Sequence, residues 1–448
     1  MATRRAPVFQ WRLRLARHVA APAASGDDEM DPQPRNTFNV AVIGAGLSGL
    51  CLAQSLKKSG IDVHVYERDD SAETRGQGYR ITLDERGIRA LEVCLPDSLF
   101  ALFEATSGAP GGFFRFTRRD LREIFRLTFT ASRAQSRYLP RQADRSTLRQ
   151  ILLCGLEDQV SFGKQCTRVE ATALGATAHF ADGTSAAATV LVGADGAGSQ
   201  VRPSLLPNAQ PVSLGYSAIY GRTNLNTTDH PLVPGRLETS GVLAIGSPGK
   251  TFFFTTMAFR ERPRDAFRRF MCKPPGRDQG DYVMWAISFP DASLPAATAR
   301  GGSDALLQFA KEQAREFHVA LRQMVDASEP GETLLVPLRM TPVKGWSSNS
   351  LTLMGDAVHL MPPTGSHGGN NALRDAALLG RALQEAAQGA IPVGDALARY
   401  QQEMLAYSSR EVRAALRMLR LSLTRNPLIR VPLLKVLPVL HPVFQGSD

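Results

Sequence analysis

The segment Asn39-Val-Ala-Val-Ile-Gly44-Ala-Gly46-Leu-Ser-Gly49 carries the strongest structural signal in this chain. A run of β-branched residues leads into a Gly-x-Gly-x-x-Gly turn, and apolar residues then recur at helical spacing from Leu50 onward. In such a turn Gly44 allows the tight bend, Gly46 lets a pyrophosphate approach the backbone, and Gly49 permits close packing of helix against strand. The pattern predicts a strand, a turn and a helix whose N-terminus binds the phosphates of a dinucleotide.

A second predicted strand strengthens the dinucleotide interpretation. Val63-His-Val-Tyr66 follows Gly60 and ends at Glu67. A carboxylate about 20 residues beyond the glycines is what hydrogen bonding to a ribose diol requires. The strands, the helix and the acid together make the motif more specific than the glycines alone.

Length and composition exclude several classes of protein. The chain has 448 residues, of which 43% are apolar and 21% charged, so it can bury a sizeable core and is not wholly disordered. No uncharged apolar run approaches the roughly 18 residues of a spanning helix, which excludes a multi-pass membrane protein. The 38 glycines and 28 prolines show no three-residue period and no longer repeat is evident, so collagen-like and solenoid folds are excluded.

The charge balance and the cysteines indicate the partners and the compartment. The 52 basic and 42 acidic residues give a net charge of +10, but no basic helix or aromatic-interleaved patch predicts nucleic-acid binding. An attraction for anionic cofactors explains the charge equally well. The 5 cysteines are far apart and form no Cys-x-x-Cys pair, which favours a reducing compartment without structural zinc or disulfides.

The two ends of the chain are treated separately. Residues 1–36 are expected to be a flexible extension, and their arginine-rich, acid-poor start also fits a mitochondrial presequence, whereas Met30 fits a later translation start. The expected location is intracellular and cytoplasmic, with mitochondrial targeting by residues 1–29 as the alternative. Near the other end, Asp395 is predicted to cap a helix that continues to Asn426. The apolar and basic tail that follows is expected to pack on the protein rather than on a membrane.

Two further motifs distinguish FAD from NAD. Val190-Leu-Val-Gly193-Ala-Asp195-Gly196 predicts a buried strand that runs into a turn. Thr352-Leu-Met-Gly355-Asp356 predicts another, followed by a glycine-rich loop and an alanine-rich helix from about Asn371.

Because of these motifs, the sequence resembles the single-component FAD-dependent monooxygenases of the para-hydroxybenzoate hydroxylase type. The family has a GxGxxG motif, a DG motif and a GD motif in this order, and this chain has all three. Arg145-Ser-Thr-Leu148 matches the helical Arg-x-x-Leu segment of the family. The resemblance covers about residues 38–390, and the segment Gly78-Tyr-Arg80 is most like fungal members of secondary metabolism.

The resemblance implies FAD as the cofactor and NAD(P)H as the co-substrate. It implies that Glu67 binds the adenosine ribose, Arg145 lies along FAD, Asp356 accepts hydrogen bonds from the ribityl hydroxyls, and the Asp195 turn lies near the phosphates. The full set of cofactor-binding candidates is Gly44, Gly46, Gly49, Glu67, Gly78, Arg80, Arg145, Asp195, Asp356, Gly365, Gly368 and Gly369. His367 stands where many relatives carry Gln, and Gly369 stands where Ala is frequent.

The catalytic candidates come from the segment after the DG motif. Residues 213–336 are predicted to form a sheet with aromatic faces around a substrate pocket. Several members of the family carry an activating arginine near Arg222 that pairs with a substrate phenolate. Tyr220 is the second candidate, and for both residues a purely structural role is the alternative.

The predicted fold is α/β: a discontinuous Rossmann-like FAD-binding domain with an inserted sheet-rich substrate domain and a helical C-terminal segment. The FAD-binding domain is predicted to comprise residues 37–80, 135–212 and 337–394. The substrate domain is predicted to comprise residues 81–134 and 213–336, and the C-terminal segment residues 395–448.

The predicted activity is hydroxylation or epoxidation of an aromatic, polyketide- or terpenoid-like small molecule with O2. An oxidase or reductase on the same fold and a non-catalytic FAD-binding protein remain alternatives, whereas a halogenase is disfavoured because Trp285-Ala-Ile-Ser-Phe lacks the second Trp and the Pro of that class.

Overall fold

The computed structural model describes residues 38–73, 79–108, 113–128, 138–172, 175–225, 241–276, 279–328 and 330–436. The predictions for residues 1–36, for Gly78 and for the end of the tail after residue 436 lie outside the described residues.

The described part of the chain alternates strands and helices in its first half and gathers long helices at its end. The strands are β1 (Asn39–Ile43), β2 (Asp62–Tyr66), β3 (Arg80–Leu83), β4 (Phe113–Arg118), β5 (Glu123–Thr128), β6 (Arg141–Asp144), β7 (Val160–Ser161), β8 (Cys166–Thr172), β9 (Gly175–Phe180), β10 (Ser185–Ala188), β11 (Val190–Gly193), β12 (Val212–Asn224), β13 (Gly241–Ile245), β14 (Thr251–Met257), β15 (Tyr282–Pro290), β16 (Leu334–Met340) and β17 (Leu351–Leu353). The helices are α1 (Leu47–Lys58), α2 (Glu85–Cys94), α3 (Asp97–Thr106), α4 (Arg145–Leu153), α5 (Arg202–Leu205), α6 (Pro263–Arg269), α7 (Ala296–Arg300), α8 (Gly302–Ala314), α9 (Val319–Asp326), α10 (Asp356–His359), α11 (His367–Ala387), α12 (Val393–Ser422) and α13 (Pro427–Val431).

A five-stranded parallel sheet in the order β17-β11-β1-β2-β7 lies at the centre of the predicted FAD-binding domain. Strands β1, β11 and β17 are buried on both faces almost throughout, as parallel strands between helix layers are, whereas β2 and β7 are partly exposed. In a parallel sheet the carboxyl ends of all strands meet at one edge, and ligands of doubly wound folds bind there. The turns after β1, β11 and β17, which carry the three motifs, therefore lie side by side.

Helices α1 and α11 cross in close contact beside this sheet. Gly380 of α11 lies against Ser55 of α1, and a side chain at position 380 would overlap the Ser55 hydroxyl. Helices α2 and α3 contribute apolar side chains to the same core. Residues 81–108, which the sequence analysis assigned to the substrate domain, thus pack with the predicted FAD-binding domain, and the exact domain boundary stays a prediction.

The second large element is a seven-stranded sheet in the order β16-β12-β15-β14-β13-β4-β5. Its strands pair antiparallel except for β13 with β4. One face packs on α8 and α9 around Trp285, and Gly221 leaves the room that the Trp285 ring occupies. The other face lies against the two-stranded ribbon of β3 and β6, where Tyr282 of β15 hydrogen-bonds to Asp144 of β6. The predicted α/β fold with an inserted sheet is confirmed.

The helical C-terminal segment is present, but its predicted ends are wrong. Helix α12 begins after Pro392, and Asp395 lies in its first turn without capping it. Pro392 supplies extended backbone at the helix start, while the Asp395 carboxylate still faces the positive end of the helix dipole. The helix ends at Ser422 because Asn426 caps the next short helix, α13, by accepting the Leu428 N–H at 2.9 Å.

Part of the tail packs on the seven-stranded sheet. Leu433 is buried against Phe116, Ile124 and Ile245, and the Arg118 guanidinium donates to the Leu434 carbonyl at 2.7 Å. Leu428 remains 82% exposed. Among the described residues, no helix is both long and apolar enough to cross a bilayer.

The alanine-rich helix predicted to start near Asn371 starts earlier. Helix α11 begins at His367, directly after a left-handed pair of residues, Gly365 with φ 79° and Ser366 with φ 56°. Because of this sharp reversal, Gly368 and Gly369 of the predicted loop lie in the first turn of the helix.

Candidate functional site

The first turn is built so tightly that only glycine fits two of its three positions. Gly44 has φ 109°, and a Cβ there would stand 2.6 Å from the Ala194 carbonyl oxygen of the second turn. A Cβ on Gly49 would overlap the Gly44 carbonyl. Gly46 differs, because a Cβ there would meet nothing within 4 Å. The backbone of the turn is thus packed on its inner side and open at Gly46.

The opening at Gly46 lies at the start of α1. Gly46 is the N-cap of this 12-residue helix, no side chain caps it, and its first turn carries no acid. The free N–H groups and the positive end of the helix dipole therefore face the open space. This is the arrangement that binds a phosphate group.

The Glu67 side chain stabilises this turn by hydrogen bonding to its backbone. Its carboxylate accepts the Ala45 N–H at 2.7 Å and the Asp69 N–H at 3.0 Å. The Arg149 guanidinium, also buried, donates to the Ala45 carbonyl at 2.8 Å. Glu67 lies where the sequence predicted an acid beside the turn, and its role toward a ribose stays a prediction. Arg149 was not predicted; its position one helical turn after Arg145 is the signal that could have found it.

The second turn lies directly against the first. One oxygen of Asp195 accepts the N–H groups of Gln200 and Val201 at 2.7 and 3.3 Å, while its Oδ1 is buried with no hydrogen bond among the described residues. Burial raises the pKa of Asp195. Arg202 joins this turn to the third one, since it donates to the carbonyls of Ala197 and Ala357 at 3.0 Å each.

The third turn closes over the start of α1. Gly355 has φ 61°, and a Cβ there would stand 3.0 Å from the Ser48 hydroxyl. Asp356 opens helix α10 and stays partly exposed. A Cβ on Gly368 would lie 3.9 Å from the Asp356 Oδ1, and a Cβ on Gly369 would lie 3.6 Å from the Ile81 side chain. The structure thus brings the glycine loop, Asp356 and strand β3 together.

A buried carboxylate that the sequence analysis missed holds the third turn. Asp375 of α11 is fully buried and accepts the Gly355 N–H at 2.7 Å, the Tyr407 hydroxyl, and a bond from His359 Nε2 at 2.7 Å. Burial opposes a charge on His359, but Asp375, Asp356 and the backbone together raise the pKa of this imidazole. Asp375 therefore fixes the backbone from which Asp356 projects.

The glycine-rich loop is clamped from two sides. Asn370 donates to the Thr82 and Ser366 carbonyls at 3.0 and 2.7 Å, which ties the loop to β3. His367 Nδ1 lies 2.5 Å from Glu411 of α12, and Glu411 also pairs with Arg86 at 2.6 Å. His367 therefore has an ion-pair partner, which the sequence could not predict because Glu411 is distant in the chain.

The remaining cofactor-binding candidates lie around the same opening. Arg145 begins α4, its side chain is exposed, and its N–H donates to the Tyr79 carbonyl at 3.3 Å. Gly365 lies in the left-handed reversal before α11. Asn371, in the first turn of α11, is fully buried, and both polar atoms of its amide lack a hydrogen bond within the described ranges.

The second site feature is a packed cluster of side chains between ribbon β3–β6 and one face of the seven-stranded sheet, where the sequence predicts the substrate pocket. Register places Tyr220, Ala286 and Phe253 side by side on this face, and Arg222, Met284 and Thr255 in the next row. The walls are aromatic and thioether side chains, namely Tyr79, Tyr220, Phe253, Met257, Phe259, Tyr282, Met284 and Leu334. We call this region the chamber.

Both catalytic candidates lie in the chamber. Tyr220 stacks on Tyr79 with ring centres 6.1 Å apart, and burial raises the pKa of both phenols, which keeps them protonated. Arg222 is 8% exposed and pairs with Glu332, its Nε 2.7 Å from the carboxylate. Its guanidinium also lies 5.3 Å from the centre of the Tyr282 ring. Glu332 was not predicted, because its proximity to Arg222 arises only from the pairing of β12 with β16.

Arg80, predicted as a cofactor-binding residue, faces the chamber as well. It is 7% exposed and lies near Tyr282. Tyr282 donates its hydroxyl to Asp144 at 2.8 Å. The Asp144 carboxylate also accepts the N–H and the hydroxyl of Thr147 at 2.7 and 2.8 Å.

The residues present fit a dinucleotide with a flexible polyol in its middle. The uncapped start of α1 and the open space at Gly46 suit a pyrophosphate. Asp356 is partly exposed, and Gly368 leaves the space before its carboxylate free of side chain. A carboxylate in that position can hold two hydroxyls. The arrangement thus has the donors and the room that FAD requires.

The comparisons with known proteins agree with this geometry. Residues 37–415 match the model of a family described as the FAD binding domain. A FAD-dependent monooxygenase of Emericella nidulans, dbaB, is 30% identical over 77% of this chain and 86% of its own length. The dual O-methyltransferase/FAD-dependent monooxygenase CTB3 of Cercospora beticola is 29% identical over 88% of this chain but only 46% of its own length. The chain thus spans about half of that relative.

One solved structure is similar over nearly its whole length. It comes from Photorhabdus luminescens, is named as an FAD containing monooxygenase, and is 29% identical with a TM-score of 0.72. The match covers 86% of this chain and 98% of the other.

Proposed function

The chain belongs to the FAD-binding family of single-component flavoprotein monooxygenases, and on that premise we propose that it hydroxylates or epoxidises an aromatic, polyketide- or terpenoid-like small molecule with NAD(P)H and O2. Its similarity to fungal FAD-dependent monooxygenases supports a role in secondary metabolism. The reducing, intracellular location expected from the sequence is part of this proposal.

We call the three turns after β1, β11 and β17, together with the glycine-rich loop, the cradle. One observation carries this proposal: strand β3 lies between the cradle and the chamber. Ile81 lies against Gly369 of the glycine-rich loop, whereas Tyr79 stacks on Tyr220 of the chamber. Two residues of extended chain span about 7 Å. A flavin edge held by the loop would therefore lie near a molecule held in the chamber.

The chain supplies the groups that would hold FAD. The N-terminus of α1 binds the pyrophosphate, Arg145 adds positive charge beside it, and Glu67 orients the turn and the ribose. Asp356 accepts the ribityl hydroxyls, and Asp375 holds the backbone behind Asp356. When bound and reduced by NAD(P)H, FAD activates O2 and supplies one oxygen atom to the substrate.

The glycine-rich loop prepares the site for negative charge. Helix α11 begins at His367 and has 21 residues, so its N-terminal N–H groups at Gly368 and Gly369 carry the positive end of a long helix dipole. With FAD bound, this dipole would stabilise negative charge on the flavin edge beside it. The His367–Glu411 pair and the Asn370 hydrogen bonds keep the loop in place during turnover.

The chamber positions the substrate and excludes water. Its aromatic and thioether walls favour a planar apolar molecule. The raised pKa of Tyr220 keeps its hydroxyl available as a hydrogen-bond donor. Arg222 shares its charge with Glu332, so we assign it the role of orienting a substrate oxygen through its remaining N–H groups.

The experiment that tests the proposal measures whether an oxygen atom from O2 is incorporated into the product. Purified protein is analysed for bound flavin, and NAD(P)H oxidation is measured against a panel of phenols and terpenoid precursors under 18O2. A monooxygenase incorporates one 18O atom per NAD(P)H consumed with its substrate. Peroxide release without incorporation for every compound would favour an oxidase, and no NAD(P)H consumption by the flavin-loaded protein would favour a non-catalytic FAD-binding protein.

A further inference from the structure

The C-terminal stretch of the sequence is strongly basic. Residues 412–447 contain six arginine and lysine residues and no aspartate or glutamate. On the last turns of α12, Arg413, Arg417 and Arg420 are exposed and recur at intervals of four and three residues, so they share one face of the helix. The acid just before them, Glu411, is already paired with two basic side chains. This face of the helix therefore presents positive charge to the solvent.

Exposed apolar side chains follow the arginines along the chain. Leu428 is 82% exposed, and Ile429 and Val431 of the same short helix, α13, remain about half exposed. Scattered apolar residues are common on protein surfaces, but a group of them together marks an interaction site. Arg425 lies before this group and Lys435 after it, and both are exposed. Apolar and basic side chains thus lie together on one outward-facing segment.

Contacts with the rest of the protein hold this segment in place. Leu433 is buried in the cluster around Phe116, and the Arg430 guanidinium donates to the Gly246 carbonyl. The fold therefore buries one part of the tail and leaves Leu428 outside. The exposed side chains project from a segment that is anchored at Arg430 and at Leu433.

A groove of about 390 Å³ lies beside this segment, between β12 and the end of α12. Tyr216 and leucine side chains of α12 form its apolar wall, and Arg420 and Arg425 line it as well. The Arg425 Nε lies 3.1 Å from the position that a Cβ on Gly249 would take, so this guanidinium lies against the turn between β13 and β14. An apolar groove with two exposed cations matches an acyl chain that carries an anionic headgroup.

We propose that the exposed basic and apolar side chains of this segment dock on an anionic lipid membrane. They form a surface that we call the terminal patch: Arg413, Arg417, Arg420, Arg425, Leu428, Ile429 and Val431. The arginines bind lipid phosphates, and the apolar side chains of α13 enter the headgroup region beside them. The tail then has two roles, since Leu433 packs on the protein and the terminal patch faces the membrane. Such contact requires neither a spanning helix nor the monooxygenase reaction.

The charge pattern favours lipid over other occupants of the terminal patch. A second copy of this chain, docked through the same patch, would bring two sets of arginines together, and like charges repel. Single-stranded nucleic acid is bound by cations interleaved with aromatic rings that stack on the bases, whereas the exposed apolar side chains of the patch are aliphatic. An anionic bilayer offers phosphates for the arginines and an apolar layer for Leu428 and Ile429.

The test measures binding of the full chain, loaded with FAD, to lipid vesicles by flotation. The vesicles consist of phosphatidylcholine alone or of an equal mixture of phosphatidylcholine and phosphatidylserine. One variant, Arg417→Gln/Arg420→Gln/Arg425→Gln, removes three charges, and another, Leu428→Ser/Ile429→Ser, removes two apolar side chains. The matched controls change exposed residues elsewhere on the protein, namely Arg122→Gln/Arg268→Gln/Arg381→Gln and Val93→Ser/Met271→Ser.

The wild type should bind the anionic vesicles about tenfold more tightly than the neutral ones, and added salt should weaken this binding. The arginine variant should lose about tenfold to a hundredfold of the affinity for anionic vesicles. The Leu428→Ser/Ile429→Ser protein should lose about tenfold, and its loss should persist at high salt, because burial of apolar surface is not screened. Both control variants should bind as the wild type does, and every variant should retain its FAD.

Three results would overturn the proposal. They are a wild type that floats with neither kind of vesicle, a wild type without preference for the anionic vesicles, and patch variants that bind as well as their controls do. Sedimentation without lipid tests the other occupant: a dimer that Leu428→Ser/Ile429→Ser dissociates would assign the patch to a second copy and overturn the proposal as well. The preference of the wild type needs no variant, so a variant that fails to fold leaves the question decidable.

Discussion

The cofactor cradle and the chamber are neighbours along strand β3, yet they are built in opposite ways. The cradle consists of backbone turns in which Gly44, Gly49 and Gly355 permit contacts that no other residue allows. The chamber consists of side chains from β3, β12, β14 and β15, and its charges are balanced by pairs such as Arg222 and Glu332. The cradle is thus specified locally in the sequence, whereas the chamber exists only after the strands have paired.

This difference matches the two tasks. A cofactor common to a family can be held by backbone groups, which every sequence with the right turns provides. A substrate must be distinguished by shape and charge, which only side chains provide. We expect the turns to govern FAD affinity and the chamber to govern the choice of substrate.

The largest expected effect concerns a buried side chain that holds the third turn of the cradle. Asp375→Asn leaves Gly355, His359 and Tyr407 without their shared carboxylate, and breaking a buried network of this kind costs about 3–5 kcal/mol. Urea unfolding of the apo-protein should show this loss, and FAD affinity should fall with it. Asp395→Asn, an exposed acid at a helix start, is the matched control. An Asp375→Asn protein as stable as the wild type would contradict the role of Asp375.

The next largest effect separates two glycines of one turn. Gly44→Ala forces a side chain into a left-handed position against the Ala194 carbonyl and should lower the stability of the apo-protein by about 1–3 kcal/mol. Gly46→Ala should leave the stability of the apo-protein nearly unchanged, because its Cβ meets nothing. It should still weaken FAD binding, since the Cβ enters the space of the pyrophosphate. Equal behaviour of the two variants in both assays would contradict this account of the turn.

A third comparison measures FAD affinity and substrate-dependent NAD(P)H oxidation for a variant of Asp356 in the cradle and a variant of Tyr220 in the chamber. Asp356→Ala should weaken FAD binding by about tenfold to a hundredfold, because the charged acceptor for the ribityl hydroxyls is lost. Tyr220→Phe, which removes only a hydroxyl in the chamber, should leave FAD affinity unchanged and reduce substrate-dependent NAD(P)H oxidation. Titration of each apo-protein with FAD separates the two. A Tyr220→Phe protein that lost FAD would show that the regions are not independent.

The sequence predicted the cradle well because its signals are local. The strands, α1 and the three turns can be recognised from short stretches with known periodicity and glycine positions, and the fold and the family are confirmed. The helix from Asp395 was misplaced at both ends, because Pro392 starts it and the Asn426 cap of α13 ends it. Such one-turn shifts depend on competing caps that periodicity does not reveal.

The side-chain networks were not predictable from the sequence. Arg86 and Glu411 are 325 residues apart in the chain, and Tyr79 and Glu332 are 253 apart. Their contacts follow from strand order and helix crossing, which no short motif encodes. Arg80, a predicted cofactor-binding residue, lies near Tyr282 of the seven-stranded sheet, and its role in cofactor binding stays a prediction.

The smallest expected effect is a pH dependence within the cradle. The folded protein raises the pKa of His359 above its ordinary value of 6.5, so the His359–Asp375 pair stabilises the fold fully at low pH. This contribution should be lost as pH rises through the raised pKa of His359. The difference in urea stability between the wild type and His359→Gln, measured from pH 6 to pH 9, should therefore shrink with rising pH. A difference that grew with pH would contradict the sign of the shift.

The most direct test of the central claim, that three distant turns hold one flavin, is an equilibrium titration of the apo-protein with FAD and with FMN. The account predicts one FAD per chain and much weaker binding of FMN, which lacks the pyrophosphate and adenosine held by the Gly44 turn and Glu67. A protein that took up no FAD, or that bound FMN as tightly as FAD, would contradict it.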